Sequence, residues 1–209
     1  MMTRKMETVV VTITKRNGSP QKYQKPKQMK YLKQLCGIYP KLNHCDTSKV
    51  SNIVTLGKNM TSTALAGHIA EVCASLSVRH WQYGALGGRV VVSMLHRQTP
   101  TTFVECVLAL EAALSPAFVA CCRRNSNQLN NMVVHDRDFQ YDIMGIRTLQ
   151  RSYLLKVQNV VVERPQYMLL RVAVALHGDD MDMVRQTYEA TSRLLYTHAT
   201  PTLFHAGLV

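Results

Sequence analysis

Two adjacent cations and a glycine near the N-terminus are the residues best suited to bind phosphate. Lys15 and Arg16 precede Asn17-Gly18, and an Asn-Gly pair is the strongest short signal for a hairpin turn. A guanidinium group can hold phosphate oxygens through two parallel hydrogen bonds, and glycine lets the backbone approach a ligand closely. The same four residues would also suit an ordinary charged hairpin. A phosphate site is therefore one of two interpretations of this turn.

The turn is predicted to join two strands that lead into a helix. Residues 8–15 are rich in β-branched side chains, which suits a strand, and residues 21–24 could form a weak return strand. Pro26 fits the first turn of a helix, and Gly37 marks its end. The cations would therefore lie between a short hairpin and the first helix.

Three further helices are predicted in the first hundred residues. Thr47 or Ser48 is expected to cap the second helix, and Thr61-Ser62-Thr63 is expected to cap the third. A fourth helix is predicted from Tyr83 to about His96, and its apolar residues on most sides indicate a central position. The pattern therefore predicts a hairpin followed by four helices.

The rest of the chain is predicted to be mainly helical. Helical patterns cover residues 101–113, 116–124, 147–156, 165–176 and 180–195. Residues 125–131 are polar and predict a loop or a frayed helix, and Asp136-Arg137-Asp138 predicts an exposed charged loop. Thr200-Pro201-Thr202 is expected to end the helical pattern and to begin an extended segment.

The charge of the chain is concentrated at its N-terminus. The formal net charge is +12, and residues 1–41 hold ten Lys and Arg against one acid, Glu7, which is +9. Such a block predicts a polyanionic partner, either nucleotide phosphates, nucleic acid or an acidic protein, or else a solvated basic face. The block lacks the interleaved aromatics of single-strand binders, so nucleic acid is disfavoured.

Neither a secretory signal nor a run of 18 apolar residues occurs, so we expect a cytoplasmic protein with no membrane span. The six cysteines form no C-x-x-C motif, and no histidine pair has zinc spacing. We therefore expect reduced thiols, no metal and no catalytic cysteine. These cysteines are Cys36, Cys45, Cys73, Cys106, Cys121 and Cys122.

The second half of the chain carries the most specific motifs. Residues 136–165 include Asp-Arg-Asp-Phe-x-Tyr-Asp, Gly-Ile-Arg-Thr-Leu-x-Arg-Ser-Tyr-Leu-Leu-Lys and Val-Glu-Arg-Pro-Gln, and residues 197–207 read Thr-His-Ala-Thr-Pro-Thr-Leu-Phe-His-Ala-Gly. This block resembles the helical N-terminal domain of the class I ribonucleotide reductase large subunit. Its arginines are expected to be structural: Arg137, Arg147, Arg151 and Arg164 should pair with Asp136, Asp138, Asp142 or Glu163.

The first hundred residues resemble the ATP-cone, a regulatory domain of many ribonucleotide reductases that binds ATP or dATP as an allosteric effector. The resemblance implies that Lys15 and Arg16 touch phosphate or base and that Lys27 lines the pocket. It also implies that the Ser62 hydroxyl contacts the nucleotide and that Arg97 reaches a phosphate. The predicted effector site therefore consists of these five residues.

The sequence departs from the cone pattern at three places. Ala66 stands where the family has an acid, four positions after the hydroxyl residue, and residues 25–28 replace the usual Phe-Asp-x-x-Lys-Ile entry. Gly87-Gly88-Arg89 replaces Ala-Ala-Arg, and each helical glycine costs about 1 kcal/mol relative to alanine. The expectation of the fold is therefore firmer than that of the effector site.

The resemblance predicts an ATP-cone over residues 1–100, a helical domain over 101–198 and the first strand of a missing α/β barrel over 199–209. It implies that Thr200 helps to hold the substrate diphosphate. The radical cysteine, the reducing cysteine pair and the barrel Asn and Glu lie beyond Val209 in the family, so no catalytic residue is assigned here. The resemblance also implies large-subunit self-association and a small-subunit partner.

Three hypotheses remain open for the function. The chain is an incomplete ribonucleoside-diphosphate reductase large subunit, a stand-alone ATP- or dATP-sensing or subunit-binding module, or a basic polyanion-binding protein. Under the first hypothesis, residues 199–209 lack their barrel partners and should form an unpaired, frayed tail.

Overall fold

Two short antiparallel strands flank the Asn17-Gly18 turn in the computed structural model, which describes residues 11–57 and 60–209. Strand β1, Thr12–Thr14, pairs with β2, Pro20–Lys22, and Ile13 lies opposite Gln21. The predicted hairpin is therefore confirmed where the chain is described, while residues 8–10 of the predicted first strand lie outside the described ranges.

Four helices follow the hairpin, which confirms this part of the predicted fold class. They are α1, Lys25–Gly37; α2, Thr47–Ile53; α3, Ser62–Leu76; and α4, Trp81–Gln98. The chain divides into two compact units after Val91, so α4 runs across the division. The core of the first unit consists of buried apolar side chains from every helix: Leu32, Leu35, Val50, Ile69, Val72, Leu76, Leu86 and Val90.

The caps of α2 and α3 are set by side chains that accept backbone hydrogen bonds. The Asp46 carboxylate accepts from the N–H groups of Ser48 and Lys49, at 2.8 and 3.2 Å. Asp46 therefore caps α2, and the prediction of Thr47 or Ser48 was wrong by one or two residues, because an aspartate is an equally good cap. Thr61 caps α3 from within the predicted run, accepting from Ala64 N–H at 3.0 Å.

The Arg89 side chain, only 1% exposed, fixes the end of α1. Its guanidinium group donates to the carbonyl oxygens of Leu35, Ile38 and Pro40 at 2.7, 2.9 and 2.6 Å. The last carbonyl groups of a helix have no hydrogen-bond donor within the helix, and Arg89 supplies donors to such groups at the end of α1. Arg89 thus stabilises the C-terminus of α1 and the segment that follows it.

The second unit is a set of helices with one small hairpin. Its helices are α5, Phe103–Ala109; α6, Pro116–Arg124; α7, Ser126–Met132; α8, Ile143–Thr148; α9, Pro165–His177; α10, Met181–Ser192; and α11, Thr200–His205. The hairpin pairs β3, Lys156–Val157, with β4, Val160–Val161. Short 3₁₀ turns cover Glu111–Ala113 and His135–Gln140, and a π-helical turn covers Leu149–Tyr153.

Helix α9 is the centre of the second unit, because every residue from Pro165 to Val174 is buried. Helix α10 packs against it, and the buried Tyr188 of α10 donates to the Gln166 side chain at 2.9 Å. The polar run that was predicted to be a loop or a frayed helix forms α7, and the buried side chains of Leu129 and Met132 tie that helix to the core. Tertiary packing thus decides the structure of a segment with an ambiguous sequence pattern.

Asp138 and Glu163 lie in a buried polar network of the second unit. Asp138 is fully buried, pairs with the His96 ring at 2.6 Å and accepts from Gln166 N–H at 3.0 Å, so it does not lie in an exposed loop. Glu163 pairs with Arg171 at 2.7 Å, while the neighbouring Arg164 donates to the Thr99 hydroxyl at 2.7 Å. Arg137 pairs with Glu189 at 2.9 Å, so the predicted acid partners were wrong for Arg137 and Arg164, while those of Arg147 and Arg151 stay predictions.

The C-terminal segment is a docked helix, which corrects both the predicted barrel strand and the predicted frayed tail. Pro201 lies in the first turn of α11, where its missing N–H is not needed. Arg171 donates to the carbonyl oxygens of Leu203 and Ala206 at 3.2 and 2.6 Å, and the Leu203 side chain is buried. The Gly207 carbonyl accepts from Ser115 N–H at 2.9 Å. These contacts hold the segment against the second unit without barrel partners.

Among residues 11–57 and 60–209, none of the helices has both the length and the apolar character required to span a bilayer.

Candidate nucleotide-binding site

The hairpin turn lies beside the N-terminus of α3. Thr14 N–H, at the end of β1, donates to the Met60 carbonyl at 3.1 Å, and Thr14 forms an isolated parallel bridge with Thr61. The next residue on each side of this bridge is a predicted site residue, Lys15 on the hairpin and Ser62 on the helix. The structure therefore brings the hairpin cations and the predicted hydroxyl into the same region.

The turn that carries the two cations is rigidly hydrogen-bonded. Lys15 N–H donates to Ser19 O at 2.9 Å, and Gly18 N–H donates to Lys15 O at 3.0 Å. The Asn17 side chain accepts from both the N–H and the hydroxyl of Ser19 at 3.1 and 2.7 Å. Gly18 has φ +79°, a backbone conformation that residues with a side chain rarely adopt. Lys15 and Arg16 are exposed on this turn.

The N-terminus of α3 supplies positive potential next to these cations. Thr61 satisfies the Ala64 amide, but the first amides of any helix have no acceptor inside the helix. The aligned peptide dipoles also place a partial positive charge at this end, which attracts phosphate. Ser62 is half-buried at the first helical position, and no acidic residue lies in the first turn. Ala66, one turn further, adds no negative charge.

Two other predicted residues lie on different elements. Lys27 is exposed in the first turn of α1, the helix that follows β2. Arg97 is exposed in the last turn of α4 and belongs to the second unit. A surface cavity of about 570 Å³ lies along α1 and is lined, among the described residues, by Pro26, Met29, Lys30, Lys33 and Gln34. The structure therefore groups Lys15, Arg16 and Ser62, and the roles of Lys27 and Arg97 stay predictions.

Thr200 is exposed as the first residue of α11, and its hydroxyl lies 3.3 Å from the Tyr153 hydroxyl. Its predicted contact with a substrate diphosphate stays a prediction. Within the described ranges, the structure contains no cluster of three or more His, Cys, Asp or Glu side chains suited to hold a metal ion.

The feature that sequence reasoning missed is the contact between β1 and the residues before α3. It consists of one hydrogen bond and one bridge at Thr14. A single bridging residue leaves no periodic pattern, so the only available signal was the position of Thr61 directly before a helix. The sequence named the site residues on both sides without indicating what brings them together.

Known proteins share much of the sequence of this chain. Residues 139–209 match the ribonucleotide reductase all-alpha domain. The chain is 42% identical to the ribonucleoside-diphosphate reductase large subunit of Arabidopsis thaliana, over 79% of this chain and 22% of that protein. It is 37% identical to the large subunit of Dictyostelium discoideum and 35% identical to large chain 2 of Saccharomyces cerevisiae, in both cases over 93% of this chain and 24% of the relative.

The helical second unit and these matches relate the chain to the large subunits of ribonucleotide reductases. More particularly, the chain corresponds to the N-terminal portion of the ribonucleoside-diphosphate reductase large subunit. It spans about a fifth to a quarter of the length of the three relatives just named, with 22–24% covered.

Proposed function

We propose that the first unit is an ATP-cone-like regulatory domain that binds ATP or dATP at the hairpin turn and the N-terminus of α3. The chain supplies this domain, together with the helical domain that follows, to a ribonucleoside-diphosphate reductase large subunit. The proposed reaction of the whole protein is the reduction of ribonucleoside diphosphates to deoxyribonucleoside diphosphates. The part of the chain described here takes a regulatory role in that reaction.

The observation that carries the proposal is the pairing of Thr14 with Thr61. It fixes a cationic turn next to a helix N-terminus whose first turn contains no acid. A triphosphate carries several negative charges along a short chain, and it can contact both sources of positive potential at once. Charge-assisted hydrogen bonds from Lys15 and Arg16 would then add to the helix-terminal amides.

The test is the affinity of the chain for ATP, dATP and AMP by isothermal titration calorimetry, with the double variant Lys15→Ala/Arg16→Ala. Each hydrogen bond to a charged group contributes about 1.5–3 kcal/mol. Loss of even one such contact should therefore weaken ATP binding at least about tenfold. AMP, which lacks the terminal phosphates, should bind much more weakly than ATP to the unaltered chain.

A matched control removes the same charge from exposed positions elsewhere, as Lys41→Ala/Arg185→Ala. This variant should bind ATP as the unaltered chain does. Equal losses in the two double variants would contradict the proposed site, because they would indicate that net charge alone governs binding.

The alternative function, polyanion binding by a basic face, is favoured by one observation on α1. This helix exposes Lys25, Lys27, Lys30 and Lys33 and has no acid in its first turn. If inorganic triphosphate and single-stranded DNA bind as tightly as ATP, with a steep dependence on salt, the chain is a polyanion binder. Saturable binding that requires the nucleoside would exclude this alternative.

Two further roles complete the proposal for the whole protein. Self-association of large subunits and pairing with a small subunit are proposed because the relatives carry the large-subunit name. Thr200 is proposed to contact the substrate diphosphate. In a protein that also contains the barrel, Thr200→Val should raise the KM for the diphosphate substrate and leave ATP binding unchanged.

A further inference from the structure

Three side-chain rings lie in a row on the surface of the first unit. The His44 and His80 ring centroids are 4.9 Å apart with an interplanar angle of 35°, and the Trp81 ring stacks on His80 at 5.9 Å and 25°. His44 belongs to the segment before α2, whereas His80 directly precedes α4 and Trp81 begins it. The fold thus builds this ring row from two segments that are far apart in the chain.

Hydrogen bonds hold the two segments of the ring row together. His44 N–H donates to the Gln82 side chain at 2.7 Å, and Asp46 N–H donates to the Tyr83 hydroxyl at 3.1 Å. Gln82 N–H in turn donates to His80 Nδ1 at 3.2 Å, which orients the His80 ring. The row is therefore preorganised, so its rings need little further ordering when a ligand binds.

The Trp81 end of the ring row is open to solvent. Trp81 is 66% exposed, although a tryptophan is highly buried on average, and His44 is also exposed. Val78, three residues before Trp81, is 91% exposed. Large apolar side chains that are exposed together mark interaction sites. The Trp81 ring therefore offers a surface on which a planar group can stack.

The side chains next to the ring row supply positive charge. Lys41 and Arg79 are exposed, and each precedes a ring of the row by three residues or fewer. Asp46 is the single acid in the sequences 41–46 and 78–83. Its carboxylate already accepts two backbone N–H groups at the start of α2. A ligand that complements this surface therefore combines planar groups with negative charge.

We propose that the ring row binds single-stranded nucleic acid, with a base stacked on Trp81 and the adjacent phosphates bound by Arg79 and Lys41. A single strand presents one aromatic ring and one negative charge at every unit, and proteins bind it through aromatic side chains next to cations. Pairing within a duplex makes the base faces inaccessible, so double-stranded DNA does not fit this surface. An acidic peptide supplies carboxylates but no regular series of rings.

The ring row is distinct from the hairpin turn and from the lysines of α1. The basic block of residues 1–41 lacks the interleaved aromatics of single-strand binders, whereas the three rings all lie outside that block. Only the fold brings these rings together, so the sequence pattern did not indicate them. Binding at the ring row is independent of the proposed effector site, because the two surfaces use different residues.

Trp81 is the only tryptophan of the chain, so tryptophan fluorescence reports on the ring row directly. The 209-residue chain is titrated with a short oligothymidylate while its tryptophan emission is measured. A base that stacks on Trp81 should quench this emission until the site is saturated. Oligouridylate should quench it equally, since neither stacking nor phosphate contacts require the 2′-hydroxyl. An abasic oligomer of the same length and a duplex should quench it much less.

Variants then separate stacking from charge, with binding followed by the fluorescence anisotropy of a labelled oligothymidylate. Trp81→Ala should weaken binding at least about fivefold, and Trp81→Phe, which keeps a ring, should recover part of this loss. Arg79→Ala should lower the slope of log affinity against log salt by about 1. Tyr196→Ala removes an exposed aromatic ring from the second unit and should bind as the unaltered chain does. Lys30→Ala/Lys33→Ala should leave the quenching of Trp81 at saturation unchanged.

Four results would overturn the proposal. The first is that no oligonucleotide binds at physiological ionic strength. The second is binding that leaves the emission of Trp81 unchanged, because the strand would then lie on another surface such as α1. Equal affinities of Trp81→Ala and Tyr196→Ala would show that the Trp81 ring contributes nothing. Equal quenching by the abasic oligomer would show that charge alone, and not stacking, governs binding.

Discussion

Replacement of Arg171 by methionine should be among the most damaging single substitutions in the second unit. The Arg171 and Glu163 side chains are 1% and 2% exposed, and the guanidinium group meets the carboxylate through two hydrogen bonds of 2.7 and 3.2 Å. The same group also donates to the carbonyl oxygens of Leu203 and Ala206 in the C-terminal segment. One substitution therefore leaves a buried carboxylate without its counter-ion and releases α11.

The magnitude follows from the uncompensated charge. Removal of one partner of a buried ion pair costs about 3–5 kcal/mol, and the total stability of a domain is only about 5–15 kcal/mol. Leu155 N–H still donates to the Glu163 carboxylate at 3.0 Å, which offsets a small part of the loss. We therefore expect Arg171→Met to lower the free energy of unfolding by about 3–5 kcal/mol.

The assay is urea unfolding followed by far-UV circular dichroism, arranged as a double-mutant cycle. Glu163→Leu combined with Arg171→Met removes both charges, so the double variant should be about 1–3 kcal/mol more stable than the sum of the two single losses predicts. Arg185→Met, at an exposed position of α10, is the control and should change stability by less than about 0.5 kcal/mol. Strict additivity in the cycle would refute the claim that the two side chains act as a buried pair.

Three further predictions concern separate parts of the chain. Burial, aided by the Arg164 charge, lowers the pKa of His135 in the folded chain below its usual value of about 6.5. The stability that the neutral His135 ring contributes is therefore complete above about pH 6.5 and is lost as the pH falls below that value. Between about pH 7 and 5.5 the variant His135→Gln should lose less stability than the unaltered chain, and an equal loss would contradict this assignment. Gly18→Ala should destabilise the first unit by about 1 kcal/mol in thermal unfolding, because φ is +79°, whereas Gly37→Ala, with open space and no positive φ, should not. In hydrogen exchange the amides of Ser115 and Val209, which donate to Gly207 and Ala113, should be protected, and exchange at the rate of an unfolded peptide would show that the C-terminal segment is not docked.

Local signals predicted the first unit well because its elements begin and end at residues with strong backbone preferences. The Asn17-Gly18 turn lies between β1 and β2, and α1 carries Pro26 in its first turn and Gly37 at its end. The cap of α2 shows the limit of such signals. Asp46, Thr47 and Ser48 can all accept a backbone hydrogen bond, and only the fold determines that Asp46 takes this position.

The polar core of the second unit could not be predicted because its partners are chosen by packing. Arg164 and Arg171 lie one and eight residues after Glu163, and only the second pairs with it. The C-terminal segment was predicted to be extended because Thr200-Pro201-Thr202 breaks a preceding helix. The same proline starts a new helix equally well, and Arg171 then binds two carbonyl oxygens of the segment.

In the candidate site, the sequence predicts the residues but not the contact that brings them together. The sequence named Lys15, Arg16 and Ser62 through a resemblance, but only the Thr14–Thr61 bridge brings the hairpin and α3 together. Arg97 lies in the second unit, and the basis for its predicted role remains the resemblance alone.

The departures from the cone pattern should affect the proposed ligand site more than the fold. Arg89, which the pattern shares, binds three carbonyl oxygens at the end of α1, and α4 is helical through Gly87 and Gly88. Ala66, which departs from the pattern, lies one turn after Ser62 and supplies no polar group to a ligand. Because a nucleoside is distinguished by polar contacts while phosphates are bound largely by charge, the loss of an acid at position 66 should reduce discrimination between ATP and dATP more than affinity for triphosphate.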